Sequence, residues 1–220
     1  MTDLGDILGR GVYAPTEAAR LIGLAAPKVN RWIGDEAKGA VWENAFRSLT
    51  GSREMSFLDL QQLRVVSELR RVGVSLQAIR KGLAAARDVI ATSTPFAHHA
   101  LKTDGRDVFM KVAEAEREPE LIDLTRNQYA FEKVLAPVLR DVDFGADYAR
   151  RWWPSGKSKR IVLDPERSFG RPIDAESGVP TRALALAADA EGSVRRAATL
   201  FEVPEAAVRQ AVAFEQKLAA

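Results

Sequence analysis

The chain has 220 residues, 46% hydrophobic and 28% charged, with a formal net charge of +2; this is ordinary globular composition, long enough for one large core or two smaller ones. It has no cysteine and two histidines, His98 and His99, which excludes disulfide scaffolds, cysteine nucleophiles, thiolate metal sites and multi-histidine metal centres. No apolar run reaches the roughly 18–20 residues that a bilayer span needs, and Met1–Arg10 carries Asp3 and Asp6 without a cationic start, so the expectation is a cytoplasmic protein with no membrane partner.

The charge is unevenly placed. Residues 1–95 hold 13 Lys/Arg against 10 Asp/Glu, residues 96–149 hold 7 against 11, residues 150–160 hold 5 against none, and residues 161–220 hold 7 against 9. A basic front, an acidic middle and a basic joint suit polyanion binding at specific places rather than a uniform basic coat.

In chain order, Met1–Tyr13 reads as a short lead-in. Pro15–Ile22 predicts a helix with proline near its start and Gly23 just past its end. Pro27–Ile33 predicts a second helix stopped by Gly34, at helix-turn-helix spacing from the first. Gly34–Ser52, with three glycines, can hold a wing or hairpin. Ser56 can cap a helix over Phe57–Val72, and Ser75 can cap an amphipathic helix carrying Leu76, Ile79, Leu83, Ala86 and Ile90 on one face. Thr92–Pro95 breaks the chain. Phe96–Lys102 and Asp107–Val112 then read as strands around a tight Asp104-Gly105 turn. Leu121–Tyr129 is ambiguous, Glu132–Arg140 looks helical, and Gly145–Arg160 reads as a basic joint. Ile161–Leu163 is a strand candidate, Pro165–Pro180 is rich in turns, and three helices follow: Thr181–Asp189, Ser193–Phe201 and Pro204–Leu218.

Two segments match at a constant offset of 179. Ala18–Ile33 and Ala197–Val212 pair Ala18 with Ala197, Ala19 with Ala198, Leu24 with Val203 and Val29 with Val208. These are the small and apolar positions needed where two helices cross through a tight turn, so the chain reads as holding two helix-turn-helix units. Their outer faces differ. The first shows Lys28, Asn30 and Arg31, residue types that neutralise phosphates and read base edges. The second opens on Glu205, which repels phosphate, and suits dimerisation or protein binding.

The candidate DNA contacts are Thr16, Lys28, Asn30 and Arg31 on the first unit, Arg47 and Arg53 from the wing, and Arg182, Arg195 and Arg196 on the last. Arg70-Arg71 and Arg80-Lys81 flank the Gly73 turn, where charge often serves only solubility. Trp32 reads as a core plug. Trp152 and Trp153 suit either stacking on single strands or pinning the joint. Arg171, between Gly170 and Pro172, suits a pair with buried Asp164. His98 and His99 would alternate on a strand and cannot share a metal. The acidic run Glu114, Glu116, Glu118, Glu120 and Asp123 reads as a solvated face. No Gly-rich phosphate loop, nucleophile elbow or triad pattern is present, so no enzyme activity, cofactor or metal is expected.

Val12–Trp32 followed by Arg53–Arg87 resembles the MerR-like winged-helix pattern. Leu163-Asp164-Pro165, Phe169-Gly170-Arg171-Pro172 and Gly178-Val179-Pro180-Thr181, with the closing helix, resemble the antitoxin-like family catalogued as domain of unknown function 433. The combination is similar to antitoxins of the VapB class. That resemblance implies an autorepressor that binds operator DNA and neutralises a PIN-like ribonuclease toxin, and two helix-turn-helix units on a two-fold axis predict a homodimer on a palindromic site. The alternative is a stand-alone MerR-like regulator sensing a small ligand in its middle region. The expected fold is mainly α (α+β): two winged-helix or helix-turn-helix units, residues 1–92 and 160–220, joined by a small hairpin-containing region at 93–159.

Overall fold

The structure, a computed structural model, describes residues 10–47, 51–103 and 135–219. It is a mixed α+β fold. Helices α1 (Pro15–Ile22) and α2 (Ala26–Trp32) lead into α3 (Phe57–Arg71) and α4 (Leu76–Ile90), followed by the one-turn α5 (Ala100–Thr103). Four short strands form one antiparallel sheet in sequential order: β1 (Val142–Phe144), β2 (Ala149–Trp152), β3 (Ile161–Leu163) and β4 (Pro172–Asp174). Helices α6 (Thr181–Ala190), α7 (Val194–Leu200) and α8 (Glu205–Ala219) close the chain. No helix among the described residues is long and apolar enough to cross a membrane.

The helices start and stop where local chemistry dictates. Helix α1 takes Pro15 in its first turn, and Gly23 turns left-handed (φ 70°) to donate its amide back to Ala19 and Arg20 carbonyls. Helix α3 opens with a reciprocal cap: Ser56 Oγ accepts from the Asp59 amide (3.1 Å), and the Asp59 carboxylate accepts from the Ser56 amide (2.9 Å). Asp59 is buried, and it also accepts from Trp42 Nε1 (2.9 Å) and the Ala45 amide (3.1 Å). Burial still pushes its carboxyl above the ordinary value, against the pull of those donors.

One hydrophobic core runs from Tyr13 on the first segment through α1 to α4 and the sheet to Leu163, and takes in Phe214 of α8. A second, alanine-rich core holds Leu184, Ala197, Ala198, Val203, Ala207, Val208 and Ala211 of the last three helices. Tyr13 ties the start of the chain to the turn before β4. It is fully buried, its backbone pairs with Met55, and its hydroxyl donates to the Gly170 carbonyl (2.7 Å). The expected lead-in is therefore structural at its end, because an aromatic ring finds a buried polar partner 157 residues away.

Three other expectations change. Phe96–Lys102 is not a strand: Pro95–Ala97 is a 3-10 turn and Ala100–Thr103 is helical. Pro95 fixes the start of that turn, and Phe96 in the turn and Leu101 in α5 are both buried. A hairpin forms between β1 and β2, turning through 145–148 at the start of the stretch read as the basic joint. Among its described residues, Gly34–Ser52 forms a 3-10 turn (Glu36–Lys38) and a bridge from Trp42 back to Ile33 rather than a strand ladder, with Val41, Trp42 and Phe46 drawn into the core. Finally, β4 lies inside the stretch read as turns. The Asp104-Gly105 turn, Asp107–Val112, Leu121–Tyr129 and the acidic run at 114–123 lie outside the described residues; of Glu132–Arg140, residues 135–140 are described and are helical.

The sheet is held by ion pairs that make stability depend on pH. Arg160 donates to buried Asp174 (2.6 Å), which also accepts from Ser177. Lys157 and Trp153 donate to Asp143 (2.6 and 2.7 Å). Burial pulls both carboxyls up, but the hydrogen bonds and cations outweigh it and hold them below the ordinary range. A carboxyl depressed in the folded state stabilises the fold above its unfolded pKa and loses that contribution as pH falls through its folded pKa. The thermal midpoint should therefore drop as pH is lowered from 7 to 3. Asp174→Asn should cost about 1–2 kcal/mol at pH 7, since the partner Arg160 keeps Glu176, and should flatten the acid-side decline.

Gln62 on α3 is fully buried, and neither end of its amide has a hydrogen-bond partner among the described residues. An unpaired buried amide costs about 1–3 kcal/mol. Gln62→Met, of similar volume, should raise the urea midpoint by an amount equivalent to about 1–2 kcal/mol.

Candidate nucleic-acid interface

The first helical pair is built around two small buried residues. Ala18 and Ala19 let α2 approach α1, and the Leu24 amide closes the turn on the Ala19 carbonyl (2.8 Å). Val29, fully buried, and Trp32, 6% exposed, fix the inner face of α2. Lys28 and Arg31 lie one turn apart on the other side and are exposed, with Asn30 half-buried between them. Trp32 is the core plug expected.

Lys28 and Arg31 line one wall of an open groove of about 540 Å³. The C-terminal turn of α3 forms the other wall, with Glu68, Arg70 and Arg71. Arg71 pairs with Glu68 (2.6 Å) and Arg70 donates to the Val74 carbonyl (2.6 Å), which fixes both guanidinium groups. Four cations and one carboxylate thus share the groove, an arrangement that attracts a polyanion. Arg70 and Arg71 were the understated members: an adjacent basic pair immediately before the Gly73 turn is their only sequence signal.

The other candidate residues do not line this groove. Thr16 and Arg182 share a separate cleft of about 320 Å³ between α1, α6 and α8, with Glu17, Arg20, Arg171 and Glu215. Arg47 is half-buried and 3.7 Å from Asp35. Arg53 is exposed ahead of Met55, and Arg195 and Arg196 are exposed on α7.

The basic joint is not an open cationic patch. Arg150 pairs with Glu166 (3.3 Å), Arg151 with buried Asp164 (2.8 Å), Lys157 with Asp143 (2.6 Å), and Arg160 with Asp174 and Glu176 (2.6 and 2.8 Å). The sheet and its connecting turns bring acids alongside these four cations. Trp152 is buried under the Arg64 guanidinium, 4.2 Å from its ring centre, and Trp153 is engaged with Asp143, so the tryptophans pin the sheet. Arg171 does not pair with Asp164, which Arg151 occupies; it is exposed and acts electrostatically on Glu17. His98 lies edge-on to Tyr148 and accepts from the Ala100 amide, and His99 lies edge-on to Phe144.

The internal echo has a structural counterpart. At the offset of 179, the starts of α1 and α2 (Pro15, Ala26) fall on the starts of α7 and α8 (Val194, Glu205). The turn repeats too. Glu202 turns left-handed (φ 54°) where Gly23 does, and Val203 donates to Ala198 (3.0 Å) where Leu24 donates to Ala19. The outer faces differ: Glu205 is tied to Arg209 (2.7 Å), and Leu200 is exposed where Leu21 is buried.

No family model matches the chain. It is 30% identical over 169 residues to a Mycobacterium tuberculosis protein named "Putative antitoxin VapB45", covering 71% of this chain and 67% of that one. The crystal structure of Rv2018 from Mycobacterium tuberculosis superposes with a TM-score of 0.72 at 25% identity, over 91% of this chain and 96% of that one. The class defined by this kinship is that of the antitoxins of toxin–antitoxin systems. Within it, the chain belongs to the VapB45 family.

Proposed function

We propose that the chain is a cytoplasmic antitoxin that binds a cognate PIN-like ribonuclease toxin and represses its own operon by binding operator DNA as a homodimer. In this reading residues 1–92 are a MerR-like DNA-binding unit, residues 93–159 connect, and residues 160–220 are an antitoxin unit like that of domain of unknown function 433. The observation that carries the DNA-binding part is the groove where exposed Lys28 and Arg31 meet Arg70 and Arg71. Helix α2 enters the major groove with Asn30 toward base edges, while Lys28, Arg31 and the α3 arginines take phosphates. A two-fold dimer would place two such helices on a palindromic site. The second pair, with Glu205 neutralised by Arg209 and with Leu186 and Leu200 exposed, suits protein contacts better than phosphate.

The test is paired expression. The product of the neighbouring reading frame should arrest growth alone, and this chain should relieve the arrest and co-purify with it. An arrest that persists with this chain fully expressed contradicts the antitoxin role.

A further inference from the structure

Between β3 and β4 the chain makes a left-handed turn through three consecutive residues: Ser168 (φ 48°), Phe169 (φ 56°) and Gly170 (φ 79°). Glycine adopts this region freely, whereas a bulky side chain is disfavoured there. The turn is nevertheless held at every point. The Gly170 amide donates to the Arg167 carbonyl (2.9 Å) and the Arg171 amide to the Ser168 carbonyl (3.1 Å). The Phe169 carbonyl accepts from the Val12 amide (3.1 Å), and the Gly170 carbonyl accepts from the Tyr13 hydroxyl (2.7 Å).

This strained backbone delivers the Phe169 side chain to solvent. It is 61% exposed, and the neighbouring Val12 is 36% exposed. The ring gains little from burial within the chain, and glycine would suit the backbone better. A large aromatic group held rigidly outward has instead the properties of an interface anchor: large apolar area, little freedom left to lose on binding, and local strain in the free protein.

We propose that Phe169 is the anchor by which this chain grips its cognate toxin, inserting into an apolar pocket on that protein. This rests on the antitoxin reading above. A second copy of the chain fits less well as the occupant. Among the described residues a mostly apolar hollow lies elsewhere, along α6 and α8 with Ala185, Leu186, Ala188 and Val212. A knob in one place and a socket in another build open chains rather than a closed dimer.

The test compares full-length wild type with Phe169→Gly, using the purified product of the neighbouring reading frame as the probe. Phe169→Gly should raise the thermal midpoint, because glycine relieves the turn, and should weaken toxin binding at least tenfold. Equal toxin affinity in the two proteins overturns the proposal. A lowered midpoint also overturns it, since the ring would then support the fold. Concentration-dependent self-association that Phe169→Gly abolishes, with toxin affinity unchanged, assigns the ring to self-assembly and overturns it too. If wild type itself does not bind the probe, the antitoxin reading falls and this proposal falls with it.

Discussion

Gly170→Ala should be the most damaging glycine-to-alanine change among the described residues, costing about 3–4 kcal/mol. The left-handed φ of 79° charges an alanine about 1–2 kcal/mol on its own. The new methyl group would also run into the Tyr13 ring and hydroxyl, with Gly11 close behind. Tyr13 cannot yield without leaving the core and breaking its bond to the Gly170 carbonyl, so overpacking adds about 1–3 kcal/mol. Against a typical total of about 5–15 kcal/mol this is a large share. Urea unfolding would show it as a lower midpoint at unchanged slope. Gly23→Ala provides the control: its φ is 70° and nothing lies within 4 Å of the added methyl, so only the backbone cost of about 1–2 kcal/mol remains. Equal costs at the two positions would mean that Tyr13 does not clamp the start of the chain to the β3–β4 turn.

The double variant Lys28→Ala/Arg31→Ala should bind operator DNA about 30-fold more weakly at about 0.15 M salt, because two lost phosphate contacts lower the salt slope by about 1.8. Both side chains are exposed on α2 while Val29 and Trp32 hold the helix, so the fold should be untouched. Circular dichroism and the thermal midpoint check that. Arg71→Ala should cost less, since Glu68 already neutralises that guanidinium at 2.6 Å. Fluorescence anisotropy with labelled DNA from upstream of the gene is a suitable measurement. A full-affinity double variant would place the DNA contacts elsewhere.

The helices were legible because their ends are written locally. Pro15 and Gly23 bound α1, Ser56 and Ser75 cap α3 and α4, and each predicted span lies within a residue or two of the observed one. The repeated alanine pairs of α1 and α7 were legible for the same reason, since close helix crossing demands small residues at fixed spacing. Of the sheet only β3 was legible, at Ile161–Leu163 as read. The other strands are three or four residues long, too short to show alternation, and β4 is Pro172-Ile173-Asp174, buried throughout. The β1–β2 turn, Gly145–Tyr148, lacks the Asp-Gly or Asn-Gly pair that signals a tight hairpin.

Electrostatics were the least legible layer. Five cations in residues 150–160 suggested an open basic surface. Four of them are paired with Asp143, Asp164, Glu166, Asp174 and Glu176, partners that only the strand register brings near. Conversely, Lys28 and Arg31 were legible because buried Val29 and Trp32 fix the face of α2. Arg70 and Arg71 join them only because the end of α3 packs beside α2.

The choice between the two helical pairs as the DNA-reading element is decided by one salt titration. Affinity for operator DNA is measured from about 0.05 to 0.3 M salt for wild type, Lys28→Ala/Arg31→Ala and Arg195→Ala/Arg196→Ala, and log affinity is plotted against log salt. The first pair of substitutions should lower the slope by about 1.8 and the second should leave it within about 0.5 of wild type. A slope lowered by the α7 pair and unchanged by the α2 pair would contradict the account.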